Sequence, residues 1–308
     1  MKNFINISDC SSGDLREIIE EAKKRKQNRA GLNKSAPDQD KPFEGKSMAM
    51  IFEKPSTRTR MSFDIAVKQL GGSSIILNPD GIHYGKGDET LKDTAKVLTE
   101  YVDIVMLRTS SHKNLEEFGK YLDIPIINGL SNLGHPCQIM SDILTFEESN
   151  GNITGKNISW IGDGNNNMSN SLIEAAGKLK FNLKIGCPKK YSPNKLILNW
   201  AKKNKVNLSI TTKPLDAVEG ADCVMTDKWV SMNDKVNTKT KKKILKPYQV
   251  NKKLFSKANS DAIFMHCLPV GRGEEVTDEV IDGKQSVVWR QALNRVHTQK
   301  SIIKWCLD

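Results

Sequence analysis

The sequence predicts an α/β protein of two domains, in which each domain is a parallel sheet flanked by helices and interdomain helices bridge the two. Short apolar strands alternate with amphipathic helices, and this pattern starts again after a turn-rich stretch near residue 150. A chain of 308 residues is long enough for two domains of ordinary size. We therefore predict a first domain over residues 1–149, a second over residues 150–291, and a C-terminal helix, residues 292–308, that packs back on the first domain.

The first domain is predicted to open with an amphipathic helix, residues 15–26, followed by a polar linker to about residue 45. A strand at 47–52 then leads into a helix at 56–70, which Gly71 and Gly72 end as a C-cap should. The remaining predicted elements are strand 73–77, helix 90–101, strands 103–107 and 124–127, and a helix that His135 opens and that runs to about residue 148.

The second domain is predicted to begin after residues 150–155, where turn-forming residues concentrate. Its first strand, residues 158–161, leads into a helix at 167–180. Further strands, with helices between most of them, are predicted at 183–186, 207–210, 223–226 and 262–266. The last helix, about 292–306, is amphipathic and long enough to reach the first domain.

Composition excludes several classes of protein. No run approaches the roughly 20 apolar residues of a membrane span, and the N-terminus lacks the apolar core of a secretory signal. The 6 cysteines are widely scattered and form neither a disulfide framework nor a zinc-binding pattern. We therefore expect no membrane partner, no metal and a reduced, cytoplasmic location.

The net charge of +11 is concentrated in two lysine-rich runs, residues 23–29 and 239–246. We interpret the first run as the exposed face of the opening helix and the second as a solvated loop. Aromatic residues, on which a single-strand nucleic-acid binder stacks bases, interleave with neither run. We therefore expect no nucleic-acid partner, and we expect the positive charge to attract an anionic small molecule.

The run Ser56-Thr57-Arg58-Thr59-Arg60 stands where the first predicted strand gives way to a helix. Small hydroxyls, the open N–H groups of a helix start and two guanidinium groups are the components of a phosphate site. Arginines of this kind are more often plain surface residues, but the position directly after a strand favours phosphate binding.

Other functional groups also stand at strand ends or helix starts. Arg108 ends a predicted strand, and Cys267, in the run H-C-L-P, follows another. His135 and Gln138 share one helix start, with Pro136 in the first turn, where no N–H is needed. Because α/β sheets bind ligands at the carboxyl edge, we favour a functional role for these positions.

The loop at 162–167, Gly-Asp-Gly-Asn-Asn-Asn, resembles a nucleotide-binding turn but lacks the full glycine fingerprint. Its asparagines would suit the carboxylate and amine of an amino acid, because an amide has both donors and an acceptor. The alternative is an Asn-rich turn that only caps the next helix. Both interpretations stay open at this point.

The runs S-T-R-T-R, H-P-x-Q, D-x-x-x-S-M (Asp227 to Met232) and H-C-L-P resemble the ornithine carbamoyltransferases, in order and at matching spacing over essentially the whole chain. S-x-R-T and H-P-x-Q alone would also fit aspartate carbamoyltransferases, whereas D-x-x-x-S-M with H-C-L-P points to ornithine. The resemblance implies a homotrimer with an N-terminal carbamoyl-phosphate domain and a C-terminal ornithine domain. The implied reaction transfers the carbamoyl group of carbamoyl phosphate to the side-chain amine of L-ornithine, giving L-citrulline and phosphate in arginine biosynthesis.

The resemblance also implies a role for individual residues, without a cofactor or metal. The positions that it assigns to carbamoyl phosphate are Ser56, Thr57, Arg58, Thr59, His83, Arg108, His135, Gln138, Cys267, Leu268 and Arg295. The positions that it assigns to ornithine are Asn167, Asp227, Ser231 and Met232. The residues expected to be catalytic are Arg58, Arg108, His135, Gln138, Asp227, Cys267 and Arg295.

Three departures from the family pattern are visible, and one of them, Val270-Gly271 before Arg272 where an Ala-His pair is common, affects no core role. Asn233 follows Ser231-Met232 where the family usually has glycine, and His83 stands where glutamine is common. By resemblance, His83 would reach the carbamoyl phosphate of a neighbouring subunit. The residue that acts as general base stays open between Asp227 and Cys267, and a buried apolar-like cysteine is the alternative for Cys267.

Competing functions make different demands on the sequence. A carbamoyltransferase for another amine, aspartate included, would not need the D-x-x-x-S-M run. A non-catalytic binder of carbamoyl phosphate or nucleic acid would tolerate loss of Arg295, Asp227 or Cys267, yet all are present. A dinucleotide-dependent dehydrogenase would need a fuller glycine fingerprint.

Overall fold

The computed structural model describes residues 2–78, 89–230 and 238–308. Its contacts divide the chain into two compact units. Unit 1 comprises Met1–Leu144 and Leu293–Asp308, and unit 2 comprises Thr145–Ala292. The boundary predicted from the sequence lies between residues 149 and 150, a short distance into the observed unit 2.

Unit 1 contains a four-stranded parallel sheet in the order β2-β1-β3-β4. The strands are β1 (Ser47–Phe52), β2 (Ser73–Leu77), β3 (Ile104–Arg108) and β4 (Ile126–Leu130). β1 and β3 lie in the centre of the sheet and are almost fully buried. Burial on both faces explains why their sequences are nearly continuous apolar runs. The predicted parallel sheet is confirmed.

The helices of unit 1 follow the sequence pattern closely. Ser11 and Thr90 begin two of them with a capping box, in which the hydroxyl accepts from a backbone N–H and a carboxylate three residues later bonds back. The helices are α1 (Ser12–Gln27), α2 (Thr57–Gln69), α3 (Leu91–Tyr101) and α4 (His112–Tyr121), with α5 (Pro136–Asn150) and α12 (Val288–Leu307) continuing across the division between the units. α4 is absent from the elements predicted from the sequence.

Unit 2 contains a five-stranded parallel sheet in the order β7-β6-β5-β8-β9. The strands are β5 (Asn157–Ile161), β6 (Asn182–Gly186), β7 (Leu208–Thr211), β8 (Cys223–Thr226) and β9 (Ile263–His266). Its helices are α6 (Asn167–Leu179), α7 (Lys195–Lys203), α8 (Pro214–Val218), α9 (Thr238–Leu245), α10 (Lys252–Phe255) and α11 (Asp278–Ile281). The adjacent strands β5, β8 and β9 supply Ile161, Val224 and Phe264 to one apolar core with α8, α10 and α11.

One predicted strand lies later in the chain than expected. The sequence predicts a strand at 124–127, whereas β4 spans Ile126–Leu130. Pro125 has no N–H to donate, so the ladder begins after it. Phe4 then extends the pairing, because its N–H donates to the Ile126 carbonyl at 2.9 Å and its carbonyl accepts from Asn128 N–H at 2.8 Å.

In each of the two lysine-rich runs, the structure buries a side chain that the sequence predicts to be exposed. In the first run, Arg25 is 5% exposed and is an ion-pair partner inside unit 1 rather than part of an exposed face. The second run is not a solvated loop: it forms α9, and its Lys241 is 4% exposed. In both cases a buried carboxylate attracts the cation, and a charge count along the sequence cannot reveal such a partner.

Asp38 lies at the centre of a buried charge cluster in unit 1. Its carboxylate accepts from Arg25 at 2.9 Å, Arg29 at 2.7 Å and Lys300 at 2.9 Å. Burial opposes its ionisation, but the hydrogen bonds from Lys300 and Arg29 outweigh burial and hold the pKa of Asp38 below its ordinary value. Burial also lowers the pKa of Lys300 to about 8. The cluster ties α1 and the segment after it to α12.

We predict that Asp38→Ala lowers the free energy of unfolding by about 3–5 kcal/mol, because it leaves buried cations without their partner. The control is Asp40→Ala, which removes a 59% exposed carboxylate that also pairs with Arg25, and which should cost about 1 kcal/mol or less. Urea denaturation of both variants measures this. The stability that Asp38 supplies is present above its unfolded pKa and is lost as pH falls through its lower folded pKa. A cost below about 1 kcal/mol for Asp38→Ala would contradict the prediction.

Candidate active site

The start of α2 is open to an anion. Ser56 is the N-cap residue, yet its side chain makes no capping hydrogen bond, and the first turn, which begins at Thr57, contains no acidic residue. The first N–H groups of a helix have no partner within the helix and carry a partial positive charge. The strand β1 ends at Phe52, so these groups lie at the carboxyl edge of the unit 1 sheet.

Thr59 joins two guanidinium groups from distant parts of the chain. Its Oγ1 accepts from Arg108 Nη1 at 3.1 Å and from Arg295 Nη2 at 2.8 Å. Thr59, Arg108 and Arg295 are all at least nine-tenths buried. β3 positions Arg108, where the pairing with β4 shifts register, and α12 positions Arg295. One hydroxyl therefore fixes two of the predicted cationic groups relative to α2.

His135 lies among these cations as a neutral imidazole. Burial, and then the positive charges of Arg295, Arg108 and Arg58, hold its pKa well below the ordinary value. A neutral ring can donate one hydrogen bond without adding a further positive charge. The charge of Arg58 lowers the pKa of His135 together with the charges of Arg108 and Arg295, so Arg58 also lies near this cluster.

Gln138 offers an acceptor oxygen in the same unit. Its Nε2 donates to Asp142 Oδ1 at 2.8 Å, one turn further along α5. Its Oε1 is buried and has no hydrogen-bond partner among the residues that the structure describes. A buried acceptor in this state can receive an N–H from a bound ligand, such as the amide of a carbamoyl group.

The two arginines of the first motif have different surroundings. Arg60 donates to Asn78 Oδ1 at 2.6 Å and its guanidinium stacks on Phe52 at 5.1 Å, so it is not part of the cluster around Thr59.

Glu53, the residue directly after β1, is not among the residues predicted from the sequence motifs. Its Oε2 accepts from Thr109 Oγ1 at 2.7 Å and from Ser110 N–H at 3.1 Å, and these bonds hold the loop that follows Arg108.

Unit 2 places three predicted residues at the carboxyl ends of neighbouring strands. Asp227 follows β8, Cys267 follows β9, and Asn167 is the first residue of α6, after the turn that follows β5. The strands β5, β8 and β9 are adjacent and parallel, so their carboxyl ends lie at one edge of the sheet. The sheet order therefore brings these three residues to one edge of unit 2.

Cys267 and Asp227 are in direct contact. The Cys267 thiol donates to Asp227 Oδ1 at 3.1 Å, and the Lys228 N–H donates to the same oxygen at 2.7 Å. Leu268, beside Cys267, has a left-handed backbone with φ of 60°. Its N–H donates to Nδ1 of His266 at 2.9 Å, and Nε2 of that ring lies 3.1 Å from Glu275.

The side chains of Asp227, His266 and Cys267 offer ligand atoms that all lie within 4.8 Å of one another, a spacing at which they could share one metal ion. The chemistry of the group does not favour a metal. Both nitrogens of His266 already have protein partners, and the thiol of Cys267 is bonded to the carboxylate of Asp227. An ion would have to break these contacts before it could bind.

The backbone of the turn at 162–167 favours glycine at positions 162 and 164. Gly162 has a φ of 122°, which other residues rarely adopt. A Cβ on Gly164 would come within 3.0 Å of the Tyr191 carbonyl oxygen. Asn166 caps α6 by accepting from Ser169 N–H at 2.8 Å. The capping interpretation therefore explains Asn166, while Asn167 stays a candidate for ligand binding.

Three of the predicted site residues, His83, Ser231 and Met232, lie outside the described residues, as does Asn233. Within the part of the chain that the structure describes, no helix is both long and apolar enough to cross a lipid bilayer.

These features define an α/β protein of two units, one with a candidate anion site formed by arginines and the other with a carboxylate–thiol pair at a sheet edge. Comparison with known families agrees with this class. Residues 2–148 match the carbamoyl-phosphate-binding domain of the aspartate/ornithine carbamoyltransferases, and residues 154–306 match their aspartate/ornithine-binding domain. This chain belongs to the aspartate/ornithine carbamoyltransferase family.

Individual relatives are similar over their full length. The chain is 48% identical to an ornithine carbamoyltransferase of Brucella ovis over 100% of this chain and 96% of that protein. It is 49% identical to an ornithine carbamoyltransferase of Rhodopseudomonas palustris over 99% of this chain and 96% of that protein. Among solved structures, the ornithine carbamoyltransferase from Pyrococcus furiosus matches with a TM-score of 0.91, 40% identity, and coverage of 98% of this chain and 96% of that one. The anabolic enzyme of Campylobacter jejuni matches with a TM-score of 0.91, 35% identity and 99% coverage of both chains.

We predict that Arg58→Ala lowers kcat/KM for carbamoyl phosphate about a hundredfold or more, because a charge-assisted contact to a phosphate is worth about 3 kcal/mol. Arg60→Ala is the matched control from the same helix and should change kcat/KM by less than about threefold, since Arg60 already binds Asn78 and Phe52. Steady-state kinetics on both variants measures the difference. Equal effects of the two substitutions would refute the assignment of Arg58.

Proposed function

We propose that this protein transfers the carbamoyl group of carbamoyl phosphate to the side-chain amine of L-ornithine, giving L-citrulline and phosphate. The observation that carries the proposal is the arrangement in unit 1, where Thr59 holds Arg108 and Arg295 beside the open start of α2 and a neutral His135. The names of the relatives, all ornithine carbamoyltransferases, support ornithine as the second substrate.

The reaction requires charge to be stabilised at two places. The neutral amine nitrogen forms a bond to the carbamoyl carbon and the carbonyl oxygen gains negative charge. The bond from carbon to the phosphate oxygen then breaks, and the leaving phosphate takes the second proton from the nitrogen. In this proposal Arg58, Thr59, His135 and Arg295 stabilise the developing oxyanion, by about 3 kcal/mol per donor. Arg58 and Arg108, with Ser56 and Thr57, receive the departing phosphate, and the oxygen of Gln138 accepts from the carbamoyl amide. Leu268 contributes to carbamoyl phosphate binding through its backbone.

The amine must lose a proton before it attacks. An unperturbed alkylamine of this kind has a pKa near 10.4, so only a small fraction is reactive at neutral pH. We assign Asp227 to hold the amine and Asn167 to hold the amino-acid end, together with Ser231 and Met232. Because the Cys267 thiol donates to Asp227, the carboxylate of Asp227 is the member of this pair that can receive the proton. Cys267 acts without forming a covalent bond to the carbamoyl group.

Citrulline synthesis is the proposed direction in the cell, as in arginine biosynthesis. The similarity to an anabolic enzyme of Campylobacter jejuni supports this direction. Aspartate is the rival second substrate, because the family includes aspartate carbamoyltransferases. Asp227 argues against it, since a carboxylate at the sheet edge suits a cationic side chain and would repel the β-carboxylate of aspartate.

An assay for carbamoylated product with ornithine, aspartate, putrescine and acetylornithine tests the proposal. We expect turnover with ornithine, at a rate that rises from pH 6 to 8 when ornithine is subsaturating. Asp227→Asn should raise KM for ornithine about tenfold or more and leave KM for carbamoyl phosphate within about threefold, because only the amine contact is lost. Cys267→Ser should keep measurable activity. Absence of citrulline, or a preference for aspartate, would overturn the proposal.

We also propose that three copies of the chain assemble as a homotrimer. The edge strand β2 supports an association surface on unit 1, because Ile75 and Ile76, which point to opposite faces, are 46% and 37% exposed. Strands of parallel sheets are usually covered on both faces. Other large apolar side chains of unit 1 are also exposed, namely Met61, Val97 and Tyr101. In this assembly His83 would reach the site of a neighbouring copy. Sedimentation equilibrium at assay concentrations should give the trimer mass, and a monomer would contradict it.

A reducing, cytoplasmic location is the third part of the proposal. All 6 cysteines are free and 5 of them are buried. Burial raises the pKa of Cys137 to about 12 and, together with the charge of Asp163, that of Cys187 to about 11, so these thiols stay protonated and unreactive. Unpaired cysteines are typical of reducing compartments. Recovery of the protein outside the cytosolic fraction of its source cells would contradict this.

A further inference from the structure

We propose that the buried ion pair of Asp163 and Lys241 in unit 2 positions the ornithine-binding residues, by joining the turn that carries Asn167 to the elements that hold Asp227. Neither residue belongs to the set assigned to substrate contact. The inference rests on the proposed function, because it concerns how that site holds the amino-acid substrate.

The ion pair is short and almost completely buried. Lys241 Nζ lies 2.6 Å from Asp163 Oδ2, and the two side chains are 5% and 6% exposed. Lys241 Nζ also lies 5.3 Å from the centre of the Tyr191 ring, a cation–π contact. A buried ion pair is weak evidence for stability, because the attraction is offset by the cost of removing both charges from water. Its better-supported use is to fix how two segments are placed, and the segments that it joins here both belong to the proposed ornithine site.

On one side, Asp163 organises the turn that leads to Asn167. Its Oδ1 accepts from Asn165 N–H at 2.8 Å. Its backbone carbonyl accepts from Trp160 Nε1 at 2.9 Å and from Asn166 Nδ2 at 3.2 Å. Asn166 in turn caps α6, whose first residue is Asn167. Asp163 is therefore bonded on both sides of the turn, and a shift of its side chain would move the start of α6.

On the other side, α9, the helix that carries Lys241, packs against the segment that follows Asp227. Leu245 is four residues after Lys241 and lies on the same face of α9. Leu245 packs with Trp229 and Tyr191 in one buried apolar cluster. Trp229 is two residues beyond Asp227, and its indole ring lies over Gly162, beside Asp163. The ion pair and this apolar cluster thus connect the turn at Asn167 with the strand end at Asp227.

This arrangement has a consequence for substrate binding. Asn167 is assigned to the amino-acid end of ornithine and Asp227 to its side-chain amine, so the distance between the two residues must match one substrate length. Loss of the ion pair should relax that distance and weaken binding of ornithine, while the anion site of unit 1, which lies in a different set of elements, stays unchanged.

The test is Lys241→Met in the full chain, with kinetics for both substrates. We expect KM for ornithine to rise about tenfold or more and KM for carbamoyl phosphate to stay within about threefold. Inhibition by norvaline, which keeps the amino-acid end and lacks the side-chain amine, should weaken by a similar factor. The control is Lys242→Met, the next residue of α9, whose ion pair with Glu274 is at the surface. An ornithine KM within threefold of wild type in Lys241→Met would overturn the proposal.

A double variant separates positioning from the cost of one unpaired buried charge. Asp163→Asn combined with Lys241→Met removes both charges and should fold even where Lys241→Met alone does not. We expect its ornithine KM to stay raised about tenfold, because the link between the two segments is gone. Recovery to within threefold of wild type would overturn the proposal. A wild-type protein that forms no citrulline would refute the proposed function instead, before any variant is compared.

Discussion

In the proposed anion site of unit 1, one neutral hydroxyl joins two cationic side chains. Like charges repel at short distance, so two guanidinium groups need a shared acceptor to stay together when no anion is bound. Thr59 Oγ1 is that acceptor for Arg108 and Arg295. Burial, and then the same crowding of cations, keeps His135 neutral, since a further positive charge there would be costly. The site is thus organised for an anion before the anion arrives, and preorganised donors of this kind stabilise transition-state charge without rearranging.

Buried charges elsewhere in the molecule follow a common pattern, in which a carboxylate joins elements that are distant in sequence. Asp38 joins α1 to α12 through Lys300, and α12 carries Arg295. In unit 2, Asp163 plays the same part for α9 through Lys241. Apolar packing could fill these positions with similar stability, but it would fix orientation less strictly than hydrogen-bonded charges do. The positions of functional groups in each unit therefore depend on ion pairs that lie outside the site itself.

Much of the fold and some of the site could be predicted from the sequence, for physical reasons that differ between residues. The strand before Ser56 and the helix after it are visible because apolar periodicity and glycine punctuation are local signals. The place of Cys267 at a sheet edge could be predicted because it directly follows an apolar strand, whereas its contact with Asp227 depends on the order of the strands. The contact of Thr59 with Arg295 could not be predicted, because the two residues are distant in sequence and their meeting depends on tertiary packing. Lys241 was assigned to solvent because its run is rich in lysine, and only the position of Leu245 one turn later hinted at a buried helix face.

The division of the chain has a consequence for the order in which the protein can be completed. Unit 2 is one continuous stretch of sequence, whereas unit 1 is made of two stretches, one before unit 2 in the sequence and one after it. Arg295 and Lys300 lie in the second stretch. During synthesis from the N-terminus, every residue of unit 2 is therefore added before the part of α12 that supplies these two side chains. Until that helix emerges, Asp38 and Thr59 lack partners that they have in the finished molecule, so a nascent chain can fold unit 2 but cannot yet assemble the anion site.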